Sequence, residues 1–395
     1  MANKKAILLV CSLLVFNALI AQIKPKMLLM DPQVQIESSS AVNHLYNFKF
    51  ELAEQEFQKL RIKYPDHPLY YFLMGLNYYW RRVPNEDNTI YDATIIAYMD
   101  STISLAEKMH EKNNGNPEAT FFLAGAYGFQ GRVYSDRKQW GKAIYTGRKA
   151  VHYMHENKDE NDYSPEFLFG EGLYNYYAVW IPENYVLLKP ILAFFPSGNK
   201  EKGLQQLKDV GNNAFYTRTE AQTYLMKIYA NEENKINEAY PISKYLYETF
   251  PDNAFFHRFY ARILYTKGFI IEAEKVCKDA LRKIDEHYPG YEDVTGRYVS
   301  FYLGFIYKVY RKDYINAKVY LLKTIEYSEK VGATDMGYYL YAISYLAQIA
   351  KEEKDIPAAD LYYKKIITNG VKDHETYDEA KEYFEEKKKS EKTSR

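Results

Sequence analysis

From residue 34 onward, apolar positions recur with a period of about 3.6 residues, and no stretch keeps the two-residue alternation of a strand. Helices are expected at 34–47 and 50–63, 68–82 and 90–112, 118–131 and 137–156, and 165–178. They resume at 200–211, 217–230 and 236–249, 253–267 and 269–285, 295–311 and 314–329, and 335–350 and 356–368. A polar helix at 376–389 would shield the last apolar face. The breaks are chemically marked. Tyr64-Pro65-Asp66 ends one helix, Pro84-Asn85-Glu86-Asp87 makes a long turn, and Asn113 to Pro117 separates the next pair. Short connections pair the helices into about eight antiparallel hairpins, so the expected class is all-α.

One segment departs from this pattern. Residues 179–199, VWIPENYVLLKPILAFFPSGN, are strongly apolar and hold three prolines, which no single straight helix accommodates. Three fates are open to it: plugging the fold, receiving a partner, or touching a membrane surface. Plugging leads, because a folded chain hides side chains such as Leu187, Leu188, Ile191, Leu192, Phe194 and Phe195. Membrane contact would lack the basic face that interfacial helices carry.

Small and aromatic residues recur in register. Ala53, Phe57 and Pro65 are followed by Tyr71, Gly75 and Tyr78, and the lattice returns at Ala239, Pro251, Ala261 and Ala273. Ala239 to Ala273 is one period of 34. Gly304 with Ala317 needs one inserted residue to stay in register, and Ala342 with Ala359 needs five. On these residues, stretches 45–80, 117–155, 235–285 and 295–368 resemble tetratricopeptide (TPR) units. The resemblance implies a right-handed α-solenoid whose concave groove is lined by the first helix of each pair and holds a protein or peptide. The expected organisation is a signal peptide at 1–21, hairpins at 22–178, the apolar insert at 179–199, hairpins at 200–375, and a cap with a basic tail at 376–395. Gly172, Asn175, the insert, Ser197-Gly198-Asn199 and Gly203-Leu204 resemble the central block of eukaryotic TPR proteins linked to inclusion-body clearance. No enzymatic activity follows from that resemblance.

The TPR groove positions carry over to particular residues. The Gly75 unit gives Leu69, Phe72, Leu76, Tyr79 and Trp80, and the Gly125 unit gives Phe122, Ala126, Phe129 and Gln130. The Ala261 unit gives Phe255, Arg258, Arg262, Tyr265 and Thr266. The Gly304 unit gives Tyr298, Phe301, Phe305 and Lys308, and the Ala342 unit gives Tyr339, Ile343 and Leu346. The lysine and asparagine set of carboxylate-clamping TPR domains is mostly missing. An aromatic stripe suits an apolar helix or an extended peptide. For most of its single residues core packing is favoured, and for the stripe as a whole a binding surface is as much expected as packing. Arg258 and Arg262 lie one turn apart and point the same way. They could grip an acidic or phosphate group, though pairing with Glu272, Glu274 or another nearby acid is favoured. Arg81, Arg82, Arg132 and Arg137 are expected to stack near Trp80 and Trp140.

Composition narrows the function classes. Lys4 and Lys5 precede an uncharged apolar run from Ala6 to Ile20, and Ala21-Gln22 offers a cleavage point, the pattern of an export signal. Cleavage leaves 50 basic against 52 acidic residues, which is no electrostatic footprint for nucleic acid. It also leaves Cys277 as the lone thiol, so packing rather than a disulfide must hold the fold. The 42 tyrosines suit crowded helix junctions and wet binding surfaces alike. His152 and His155 have metal-compatible spacing with only Asp159 or Glu160 as an improvised third ligand, so a solvated helix face is favoured. Gly125, Gly128 and Gly131 lack the strand and the Lys-Ser/Thr ending of a phosphate loop and read as close helix packing. The expectation is a non-enzymatic, cofactor-free scaffold exported to a periplasm or envelope, with an envelope protein that handles an apolar ligand or a membrane surface through 179–199 as the alternative.

Overall fold

The computed structural model describes residues 27–113, 115–156, 164–192 and 195–393. The expected signal peptide at 1–21, Asp159, Glu160 and Phe194 lie outside these residues, as do the side chains of Ile191 and Leu192. The fold is an all-α, TPR-like solenoid with no strand among the described residues. Its helices are α1 (Pro32–Tyr46), α2 (Phe50–Lys63), α3 (Leu69–Arg82), α4 (Asp92–Lys112), α5 (Pro117–Asp136) and α6 (Trp140–Glu156). There follow α7 (Leu168–Asn184), α8 (Lys200–Asn213), α9 (Arg218–Lys227), α10 (Ile236–Thr249), α11 (Ala254–Lys267) and α12 (Ile270–Asp285). The chain ends with α13 (Asp293–Phe305), α14 (Tyr314–Lys330), α15 (Gly337–Glu352), α16 (Ile356–Asn369) and α17 (Glu375–Thr393). Consecutive pairs form hairpins, and α17 follows as the cap. Two short helical turns, Val186–Leu188 and Lys189–Leu192, lie in the central segment.

The small-residue lattice is the crossing point of each pair. Ala53, Ala239, Ala261, Ala273, Ala317, Ala342 and Ala359 are all fully buried. Gly75 and Gly304 serve the same purpose: a Cβ would stand 2.4 Å from Met99 at the first and 2.6 Å from Leu321 at the second. The central glycines act likewise between α7 and α8. A Cβ on Gly203 would lie 2.6 Å from the Tyr176 nitrogen and 2.7 Å from the Gly172 oxygen, so the two backbones touch. Helix α7 runs through Pro182 to Asn184, beyond the start at 179 expected for the insert. Pro182 has no N–H to give the Ala178 carbonyl, and the helix continues only two residues beyond it.

Tight turns inside the hairpins share one device. Phe48, Lys138, Gly268 and Lys354 are left-handed, and the next N–H reaches back five residues to a helix carbonyl. In two hairpins the reach is six residues, from Lys235 to Tyr229 and from Asp313 to Tyr307. Both follow a π-helical turn, Ile228–Glu232 after α9 and Ile306–Arg311 after α13. The extra residue that sets Gly304 apart from Ala317 is therefore absorbed in a wide turn at the end of the hairpin's first helix.

The solenoid winds tightly enough for the first hairpin to meet the fifth and sixth. Asn253 Nδ2 donates to the Tyr46 carbonyl at 2.7 Å, and the Asp252 N–H donates to Asn47 Oδ1 at 2.9 Å. Lys49 pairs with Asp252 at 2.7 Å. The turn at Gly290 presses on the same seam, where a Cβ would meet the Phe48 ring at 2.6 Å and Pro84 at 2.9 Å. Phe48 holds a left-handed conformation that is costly for a bulky side chain. Its ring is buried against Phe50 and Trp80, which offsets that cost.

Candidate partner-binding groove

Closure of the superhelix fills the N-terminal part of the expected groove. Trp80 is buried with its ring edge-on to Phe256 at 5.2 Å and Phe255 at 6.2 Å. Phe72 and Phe122 are buried 5.6 Å apart and knit α3 to α5. Tyr79 is buried against the half-buried Phe129 at 5.0 Å. These four aromatics, Phe72, Tyr79, Trp80 and Phe122, form packing rather than open surface. Phe72, Tyr79 and Phe122 pack between adjacent hairpins, while the partners of Trp80 lie on a hairpin distant in the chain, which periodicity does not reveal.

The C-terminal hairpins keep an open aromatic trough. Tyr265 on α11 meets Phe305 on α13 at 5.2 Å, and Phe305 meets Tyr345 on α15 at 5.9 Å. All three are half-buried. Phe301 lies beneath them, 2% exposed, with Tyr338 stacked on it at 4.4 Å. On α15 the expected residue Tyr339 does not reach this surface. It is buried, and its hydroxyl donates to Glu329 at 3.1 Å, on the side of α14. Ile343 and Leu346 are buried as well. The trough takes Tyr338, Tyr341 and Tyr345 instead, whose spacing of three and four residues is itself a readable helical stripe.

The arginines depart from the expected pairing with Glu272 or Glu274. Glu272 accepts from Tyr260, and Glu274 binds Lys278, Arg311 and Tyr307. Arg258 donates to the Pro84 carbonyl at 3.0 Å and lies over the Tyr298 ring at 5.4 Å. Burial holds its guanidinium below the usual arginine range. Arg262 donates to Asn231 Oδ1 at 2.7 Å and to the Ala230 carbonyl at 3.4 Å. Both partners stand in the first π turn, whose wider backbone turns them toward α11. Lys308, in the second π turn, donates to Gln348 Oε1 at 2.8 Å and lies 5.0 Å from the Tyr345 ring centre. Burial lowers its pKa. In the first half the cations do the reverse. Arg82 pairs with Asp136 at 2.7 Å, Arg137 with Asp92 at 2.5 Å, Arg132 with Asp136 at 3.2 Å and Arg81 with Glu54 at 2.8 Å. Of the four, Arg81 also stacks on aromatic rings, those of Phe50 at 4.8 Å and Tyr78 at 5.2 Å.

The remaining candidates are structural. His152 pairs with Glu156 at 3.1 Å on its own helix. Cys277 is fully buried, and burial pushes its thiol well above the ordinary range. Gly125 and Gly131 sit at close contacts with Phe72 and Thr146, whereas a Cβ on Gly128 would meet nothing within 4 Å. The expected plug does not form at Leu187, which is 92% exposed beside exposed Tyr185 and Val186. No helix among the described residues is long and apolar enough to cross a membrane.

No protein-family model matches the sequence, and no curated protein matches it. Among solved structures, a human IFIT1 dimer with PPP-AAAA is similar at 15% identity over 81% of this chain and 68% of that one, with a TM-score of 0.42. The C-terminal part of a TPR repeat-containing protein from Cytophaga hutchinsonii is similar at 17% identity over 86% and 98%, with a TM-score of 0.26. Both scores are low, and the fold is established by its own helices: hairpin after hairpin crossing at buried alanines and glycines.

Proposed function

We propose that the protein is a non-enzymatic scaffold, exported to the periplasm or envelope, that binds a protein or peptide in the concave groove of its C-terminal hairpins. The observation that carries this reading is the half-buried trough of Tyr265, Phe305 and Tyr345, set on the first helices of three successive hairpins. Stepped aromatics on a rigid frame suit an extended or helical segment. Two buried titratable groups serve the frame, which suits a binding function: Glu220 binds Trp80 and Tyr46, and His257 binds Tyr291 and Val276. Selection from a random peptide library against the folded protein tests the reading. Selected peptides should lose affinity on Phe305→Ala, and peptides indifferent to that change would sink the groove. N-terminal sequencing of the protein from an envelope fraction tests export, with a retained Met1 counting against cleavage.

A second reading rests on Val186 and Leu187, 64% and 92% exposed in the central segment. An apolar ligand or a membrane surface would cover them. Liposome flotation of the protein with and without Val186→Glu and Leu187→Glu separates the two readings. Failure of the unaltered protein to float removes membrane contact.

A further inference from the structure

The stripe beside the trough carries cations that meet no carboxylate within salt-bridge distance. Arg258, Arg262 and Lys308 are held by a backbone carbonyl or a neutral amide. Arg297 joins them, donating only to the Tyr298 hydroxyl at 2.9 Å, with its Nε buried and unpartnered. All four are half-buried. Arg82, by contrast, pairs with Asp136, and Lys283 with Asp252. Glu86 and Glu292 act on Arg258, and Glu352 and Glu379 on Lys308, only from beyond contact distance. Partly desolvated charge without a contacting counter-charge is costly, and an arriving anion relieves that cost.

The placement indicates what kind of anion. Arg258 and Arg262 are one turn apart on α11, Arg297 is in the first turns of α13, and Lys308 follows in its π turn. Arg258 and Arg297 meet at the Tyr298 ring, 5.4 and 4.6 Å from its centre, while Arg262 and Lys308 stand further along the two hairpins, so the charges form a path and not a single point. A compact ion would meet one or two of them, whereas an extended chain with repeated acids meets them all and lays its other side chains on the aromatic floor. A nucleic acid is the less suited occupant, because the chain as a whole balances 52 basic against 52 acidic residues and so lacks the excess positive charge that polyphosphates select.

Resting on the groove reading above, we propose that the occupant is an extended acidic segment of a partner protein, its carboxylates on Arg258, Arg262, Arg297 and Lys308 and its apolar side chains on Phe305 and Tyr345. The test is fluorescence anisotropy of the full protein with a labelled peptide alternating glutamate and leucine, its glutamine counterpart, and a single-stranded RNA of similar length. The glutamate peptide should bind with an affinity that falls as salt rises, and the glutamine peptide should bind at least about tenfold more weakly. Arg262→Gln and Lys308→Gln should each weaken the glutamate peptide by about tenfold, with Arg262→Lys recovering part of the loss. Circular dichroism and thermal melting establish that each variant is folded. Equal binding of the two peptides, binding of neither, indifference to both Gln variants, or tighter binding of the RNA would each overturn the proposal. The groove reading fails separately: it survives if library-selected peptides depend on Phe305 yet carry no acids, and falls if none depends on Phe305.

Discussion

The indole N–H of Trp80 donates at 2.5 Å to a carboxylate oxygen of Glu220, 140 residues further along the chain, and the Tyr46 hydroxyl reaches the same oxygen at 3.1 Å. Two hairpins from the start of the solenoid are thereby tied to one in its middle through a single buried acid. Burial pushes that carboxyl up to about 7, and the two donors only partly offset it.

The consequence is a pH dependence with a definite sign. Unfolded Glu220 ionises near 4.5, while in the fold it keeps its proton to about 7. Its contribution to stability is full below 4.5 and is lost as pH rises through 7, a difference of ~3 kcal/mol. Glu220→Gln should remove that loss and be the more stable protein above neutrality. Chemical unfolding across the range measures it, and an unchanged pH profile in the variant would dissociate the slope from this residue.

How far the sequence reveals this architecture depends on the reach of each contact. The hairpins are legible because their crossings demand small residues at fixed spacing, and Ala239, Ala261 and Ala273 are fully buried as that spacing requires. The misfit of Gly304 with Ala317 is also legible, and its physical meaning is the π turn at Ile306–Arg311. The superhelical closure is not. Tyr46 meets Asn253 and Arg258 meets the Pro84 carbonyl across more than 170 residues, and a backbone acceptor leaves no trace in side-chain pattern. Trp80 therefore reads as groove and proves to be core. Tyr339 shows the local version of the same limit, since a one-residue change of register moves the helix face from Tyr338, Tyr341 and Tyr345 to buried positions.

His257 should give the opposite slope. Its Nε2–H donates to the Val276 carbonyl and its Nδ1 accepts from the Tyr291 hydroxyl, each at 2.9 Å. Burial lowers its pKa from 6.5 to about 4. The neutral ring's contribution is full above 6.5 and is lost as pH falls through 4, because the unfolded chain takes up the proton first. An NMR titration of the imidazole should find its midpoint near 4, and one near 6.5 would contradict the buried, neutral assignment.

Two glycines should respond to alanine in opposite directions. At Gly203 the new methyl meets backbone of α7 at 2.6 Å, so Gly203→Ala should cost about 1–3 kcal/mol through forced separation of α7 and α8. Gly147 lies inside α6 with nothing within 4 Å of an added Cβ. There the lower backbone entropy of alanine should stabilise the protein by about 0.5–1 kcal/mol. Thermal melts of the two variants decide the matter, and a neutral Gly203→Ala would mean that α7 and α8 do not depend on backbone contact.

Phe301 and Phe305 lie one turn apart on α13, yet their truncations should separate folding from binding. Phe301 is 2% exposed, stacked on Tyr338 and close to Tyr345, so Phe301→Ala should cost about 3–5 kcal/mol. Phe305 is half-buried against Tyr265 and Tyr345 and already spends part of its surface in water. Phe305→Ala should cost only about 1–2 kcal/mol and leave a folded protein with a shallower trough. Urea unfolding of the two variants measures the difference. Equal losses would show that the surface around Phe305 belongs to the closed core, and the groove would then have to be sought elsewhere on the solenoid.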